Sequence, residues 1–131
     1  MAQKEIEIIL ARHLGSYLST PIFIVDPDGN LLYFNESAEK ILGRRFEETG
    51  EMPLAEWGTI FQPMDQDGTP LSSDKLPLVV TLLTQRPAHG SFWIRGLDNV
   101  MRYIVVNAYP LIGQAERYLG AVAMFWEKEQ P

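Results

Sequence analysis

The chain has 131 residues, 46% hydrophobic and 21% charged, with 11 Lys+Arg against 17 Asp+Glu, a formal net charge of −6 and no cysteine. That length and composition suit one globular domain with a real core. The acidic balance argues against nonspecific nucleic-acid binding, which depends on cations that neutralise phosphates, and the lack of cysteine excludes disulfides, thiol nucleophiles and Cys-ligated metals.

The first expected element is an amphipathic helix over residues 3–19, with Ile6, Ile9, Leu10, His13, Leu14, Tyr17 and Leu18 at three and four spacing. It is too short for the sustained heptads of a long coiled coil. It either lies on its own domain or packs against a second subunit. Acidic residues within it make a poor signal peptide, and no apolar run approaches the ~20 residues of a membrane helix, so a cytoplasmic chain is the simplest expectation.

The stretch TPIFIVDPDGNLLYFNESAEKILG, residues 20–43, reads as strand, turn, strand and capped helix. Ile22 to Val25 is β-branched and aromatic, as a half-buried strand requires. Pro27-Asp28-Gly29-Asn30 is a turn signal, and Leu31 to Phe34 is the second strand. Asn35 can cap a helix with Ala38, Ile41 and Leu42 on one face, and Gly43 can end it. A short helix containing Trp57 is expected over residues 53–61, then a loop broken by Pro63, Gly68 and Pro70. A longer helix follows over residues 75–85, where Pro77 is tolerated because it falls in the first turn.

The last third changes period. Residues 91–95, 102–109 and 119–126 read as three strands, with a tight turn at Gly96-Leu97-Asp98-Asn99 and a longer loop over 110–118. Gly120 inside the last strand predicts a bulge or a close backbone approach. Strands at both ends with helices gathered between them argue α+β with an antiparallel sheet.

In this order the pieces resemble the PAS family. The matching residues are D-x-x-G-x-x-x-x-x-N at Asp26, Gly29 and Asn35, the closing Leu42-Gly43, and Asp67-Gly68-Thr69-Pro70-Leu71. Leu76-Pro77-Leu78, the Arg102 to Leu111 strand and the final LGAVAMFWE complete the set. The resemblance is to bacterial signalling modules. It implies a five-stranded antiparallel sheet with short helices over one face, often around a small-molecule pocket. On that pattern the N-terminal helix occupies residues 1–19, the PAS domain 20–127 and a tail 128–131.

The same pattern turns Phe23, Val25, Ile94, Ile104, Val106, Ala108, Ala121, Ala123 and Phe125 inward, with Leu78 and Leu82 covering them. The set is apolar, and three alanines leave volume. Either Phe23, Phe125, Trp57 and Met52 fill it, as the close packing of interiors favours, or an apolar pocket remains for a lipid-like or aromatic ligand. The opposite sheet face is also apolar, with Ile22, Ile24, Leu32, Tyr103, Val105, Tyr109, Val122, Met124 and Trp126 interrupted by Asn107. A solvated face should be more polar. The expectation is therefore that the N-terminal helix covers part of this face, Ile22 and Ile24 included, and a second copy of the chain the rest, in a homodimer interface drawn from Ile6, Leu10, Leu14, Ile22, Ile24, Tyr103, Val122, Met124 and Trp126.

Light-sensing flavin members of the family carry a cysteine that this chain lacks, and haem-sensing members present a histidine from the long central helix, which here has none. His89 lies after Pro87, where a strand-end histidine is the plain reading. The apolar inward set gives no polar handle to either cofactor. The aspartates 26, 28, 65, 67, 74 and 98 sit at expected turns or caps, and no catalytic triad, phosphate loop or metal-ligand spacing is present. The expectation is a non-enzymatic sensory or interaction module without its own catalytic effector. It would act through a signalling partner such as a kinase or regulator, and bind neither nucleic acid nor membrane.

Overall fold

A computed structural model describes residues 6–129. Its elements in order are α1 (Ile6–Gly15), β1 (Ile22–Val25), β2 (Leu31–Phe34), α2 (Glu36–Leu42), α3 (Phe46–Thr49) and α4 (Leu54–Ile60), then α5 (Pro77–Thr84), β3 (Ala88–Arg95), β4 (Met101–Ile112) and β5 (Tyr118–Lys128). The five strands form one sheet in the order β2-β1-β5-β4-β3, antiparallel throughout.

Local chemistry explains the first unit. The Asp26 carboxylate accepts from the amides of Asp28 and Asn30, and Gly29 takes φ +89° to close the turn. Asn35 caps α2 by accepting from the Ala38 amide at 3.0 Å, and Gly43 ends it in the left-handed conformation. Asn35 does more than cap. Its Oδ1 also accepts from the Ile22 amide at 3.0 Å, and its Nδ2 donates to the carbonyls of Gly15 and Thr20, both at 2.9 Å. One buried carboxamide thus joins the end of α1, the start of β1, the end of β2 and the start of α2.

The later strands are longer than their sequence signals. β4 runs through Pro110 to Ile112, into the stretch expected to be loop. Proline is tolerated there because β3 stops pairing at Ala108, so no ladder amide is needed on that side. The register of β4 with β5 shifts after Leu111, and beside the shift Gly120 adopts φ +130° against the Val25 carbonyl, where a Cβ would clash. Both expectations for Gly120 hold at one place. Outside the sheet, Met52 bridges Leu31 beside β2, while Met64 bridges Trp93 beside β3. The Phe61 carbonyl also accepts from the Arg95 amide.

The sheet carries a hydrophobic cluster on each face. The larger joins inward strand residues to α2, α4 and the start of α5. The smaller joins Ile22, Ile24 and Leu32 to Ile8 of α1 and Leu119. α1 therefore lies on the sheet, and the bulky stripe is not the side that docks. Ile8, Ala11 and Gly15 face the domain, whereas Ile6, Leu10 and Leu14 are 66%, 62% and 62% exposed. Small residues allow this close approach, since Gly15 sits against Ile22 where a side chain would clash. Residues 3–5 of the expected helix lie outside the described residues, as do 130 and 131 of the tail.

Replacing Asn35 with Ala should destabilise the domain by about 2–4 kcal/mol, through the lost cap together with buried amide and carbonyl groups left unpaired. Urea unfolding measures it, and a loss below about 0.5 kcal/mol would show that water replaces the carboxamide at no cost.

Candidate functional site

Between the inner face and the helices lies a cavity of about 80 Å³. Phe23, Phe92, Ile94, Ile104, Val106, Ala123 and Phe125 line it from the sheet. Leu42, Trp57, Phe61, Pro63 and Leu76 to Leu78 line it from the helical layer. Every lining side chain is apolar except for the Trp57 N–H, and that donates to the Gly29 carbonyl at 2.7 Å. Gly29 accepts this bond from within the tight turn, so the turn chemistry of the first hairpin also orients a cavity wall. Phe23 meets the Trp57 ring edge-on with centroids 5.2 Å apart.

Seven residues expected to point inward line the cavity: Phe23, Leu78, Ile94, Ile104, Val106, Ala123 and Phe125. Val25, Ala108 and Ala121 are fully buried in the same core but do not reach it. α5 packs against β4 and β5, and Ala108 and Ala121 lie in the close-packed part of that core and leave no space at the cavity. Leu82 is half-buried at the side of the core near Gly29, and its carbonyl accepts from the Tyr118 hydroxyl at 3.4 Å. Sequence reasoning missed Phe92, although two-residue alternation with Ile94 places it on the same face. It also missed Leu42, Phe61, Pro63, Leu76 and Pro77, most of which come from helix ends and a loop that carry no periodic signal. Met52, considered as a filler, is buried outside the lining.

The polar candidates lie elsewhere. His89 is exposed opposite Asn107, and His13 is exposed with Nε2 3.3 Å from the Tyr17 hydroxyl. Asp67 is drawn down to about 2 by its hydrogen bonds with Asp65 and with Thr69, whose hydroxyl and amide both donate to it. That is the chemistry of an exposed turn. Asp98 pairs with Arg102 at 2.8 Å, which lowers the carboxyl, while Arg102 also donates to the Ile41 carbonyl. Among the described residues no group of three His, Cys, Asp or Glu is placed to hold a metal ion. Haem and flavin do not fit the cavity either. It has no histidine and no free polar side chain, and its volume is a fraction of the roughly 300–1,000 Å³ typical of ligand pockets.

The residues expected at a subunit interface divide into three groups. Ile6, Leu10 and Leu14 are exposed on α1, and Trp126 is 43% exposed at the end of β5. Val122 and Met124 are half-buried against the α1 cluster. Ile22, Ile24 and Tyr103 are buried within the chain itself. Ile22 and Ile24 lie in the cluster that α1 closes, while the Tyr103 ring packs 5.2 Å from Trp93 and its hydroxyl accepts from Gln66.

No helix among the described residues is long and apolar enough to cross a membrane. No curated protein matches the chain significantly. Solved structures match its fold closely at low identity. The PAS domain of BvgS from Bordetella pertussis is 14% identical with a TM-score of 0.69, over 96% of this chain and 89% of that one. A PAS domain from Colwellia psychrerythraea is 15% identical at a TM-score of 0.64, over 92% and 96%. The Rhodobacter sphaeroides LOV protein is 11% identical at 0.73, over 94% and 68%. A family model described as the PAS fold matches residues 11–126, nearly all of the sheet and its helices, and the chain belongs to the PAS family, whose members are sensory modules.

Proposed function

We propose that this chain is a sensory PAS module that takes a small, neutral, apolar molecule into its core and passes that state to a signalling partner. The single observation that carries the reading is the cavity between inner strands and helices, with no free polar group on any lining side chain. A charged or strongly hydrogen-bonding ligand would lose its hydration there without replacement. An apolar one would gain contacts and lose none. The volume of about 80 Å³ limits the guest to a few heavy atoms unless the core expands. The site offers no nucleophile, acid or base, which supports a binding role and not a catalytic one. A similar fold described as a PAS domain from a two-component sensor histidine kinase supports a kinase as that signalling partner.

A second reading, dimerisation or adaptor function, draws on α1. Ile6, Leu10 and Leu14 are each more than half exposed on a helix whose opposite side is docked, and Tyr17 is exposed in the turn just after it. We assign this stripe, together with Trp126, to contact with a second copy of the chain. The two readings are compatible, because the cavity and the stripe lie on opposite sides of the sheet.

Xenon tests the cavity. Under xenon pressure the amide resonances of Phe23, Ala123 and Phe125 should shift and saturate, and Ala123→Leu should weaken that binding by roughly tenfold or more while the variant stays folded. Ala123→Val serves if leucine overpacks the core. No xenon response in the natural protein, or unchanged affinity in a folded variant, would exclude a working pocket. For the dimer, Leu10→Glu should shift sedimentation from dimer to monomer without lowering the unfolding midpoint, because that side chain is largely exposed within the single domain. A monomeric natural protein would sink the interface.

A further inference from the structure

The aromatic side chains form one continuous series from the cavity to α1. Trp57 of the cavity wall meets Phe23 edge-on, and Phe23 stacks with Phe34 at 6.1 Å with planes 6° apart. Phe34 meets Phe46 at 5.2 Å and 82°. Phe46 in turn meets Tyr33 at 5.5 Å and 71°. The Arg12 guanidinium of α1 lies 4.8 Å from the Tyr33 ring centroid and 5.9 Å from that of Phe46.

The position of Phe46 gives the series its meaning. Tyr33 and Phe34 are consecutive on β2, so their rings stand on opposite faces of the sheet. β2 is an edge strand. Phe46 touches both rings and so packs around the edge, on the inner-face side and the α1 side at once. It stands at the first position of the four-residue α3, whose N-cap residue Arg45 makes no side-chain capping bond. The Phe46 amide instead donates to the Glu39 carboxylate at 2.9 Å. Other polar ties of α1, from the Gly15 carbonyl to Asn35 and from Glu7 to Arg117 at 2.9 Å, end on residues that do not line the cavity.

We propose that Phe46 is a positioning residue that couples the cavity to α1 around the edge of the sheet. A close-packed interior cannot absorb a guest at one ring alone. Displacing Trp57 or Phe23 moves Phe34 against Phe46, and Phe46 shifts the platform on which Arg12 rests. Its regulatory use rests on the cavity reading above, whereas the coupling itself is a property of the packing and can be measured with no ligand.

A double-mutant cycle read by hydrogen exchange decides it. Trp57→Phe perturbs the cavity end, with Phe23→Leu as the replacement if that variant does not fold. Exchange of the amides of residues 10–15 is normalised to amides of β4, which removes global destabilisation. Trp57→Phe should speed relative α1 opening by about threefold or more in the natural background, and by much less when Phe46→Leu is present. Trp93→Leu, on the other half of the sheet, should leave the Trp57→Phe effect intact. The proposal is overturned if Trp57→Phe leaves relative α1 exchange unchanged, or changes it by the same factor with and without Phe46. With xenon, shifts at α1 amides should vanish in Phe46→Leu while those at the cavity remain. Absence of any cavity shift would count against the ligand reading alone, because the cycle has by then decided the coupling.

Discussion

The carboxamide of Asn35 is the constraint on which the rest of the structure depends. It has two donor hydrogens and an acceptor oxygen, and the buried site uses both ends. The oxygen starts α2 and fixes the first amide of β1, while the nitrogen holds the last turn of α1 and the segment entering β1. The inner-face helices and the outer-face helix are therefore registered against the same strand pair by one side chain. An apolar residue of similar size could fill the volume but could not satisfy four backbone groups.

How far this was legible in the sequence depends on which physical signal each element carries. The first hairpin, α2 and the division of strands into two faces follow from turn residues, caps and two-residue alternation, all local. The docked side of α1 is not legible in the sequence because periodicity weights bulky residues. The side of a helix that approaches a sheet most closely is made of small ones, here Ala11 and Gly15, which contribute little to any apolar pattern. Likewise, the sheet wall of the cavity could be read from alternation, whereas its helical wall depends on how Phe61, Pro63 and Pro77 fold over it. Ala108 and Ala121 illustrate a general ambiguity: a small inward residue signals either empty space or a close neighbour, and only tertiary packing tells which.

The functional picture follows from separating the two sides. The inner face borders apolar volume without polar handles, and the outer face carries a helix docked by one side and exposed on the other. A sensor needs its input and output in different places but mechanically joined. The sheet separates the two faces of this chain, and aromatic residues at its β2 edge run from the cavity wall to Arg12 of α1. The fixed turn around Asp26 adds rigidity where it matters, since the carbonyl it presents at Gly29 holds Trp57 in place.

The short bridges at Met52 and Met64 have a consequence for assembly. An open sheet leaves two outer strands with unpaired amides and carbonyls, which invite strand addition by other chains. Here the Leu31 amide is taken by Met52, and the amides of Trp93 and Arg95 by Met64 and Phe61, which blunts both margins with the chain's own backbone. Growth by indefinite sheet extension is thus obstructed at those points. Association is steered towards side-chain surfaces, whose contacts can close on themselves and stop at a defined number of copies.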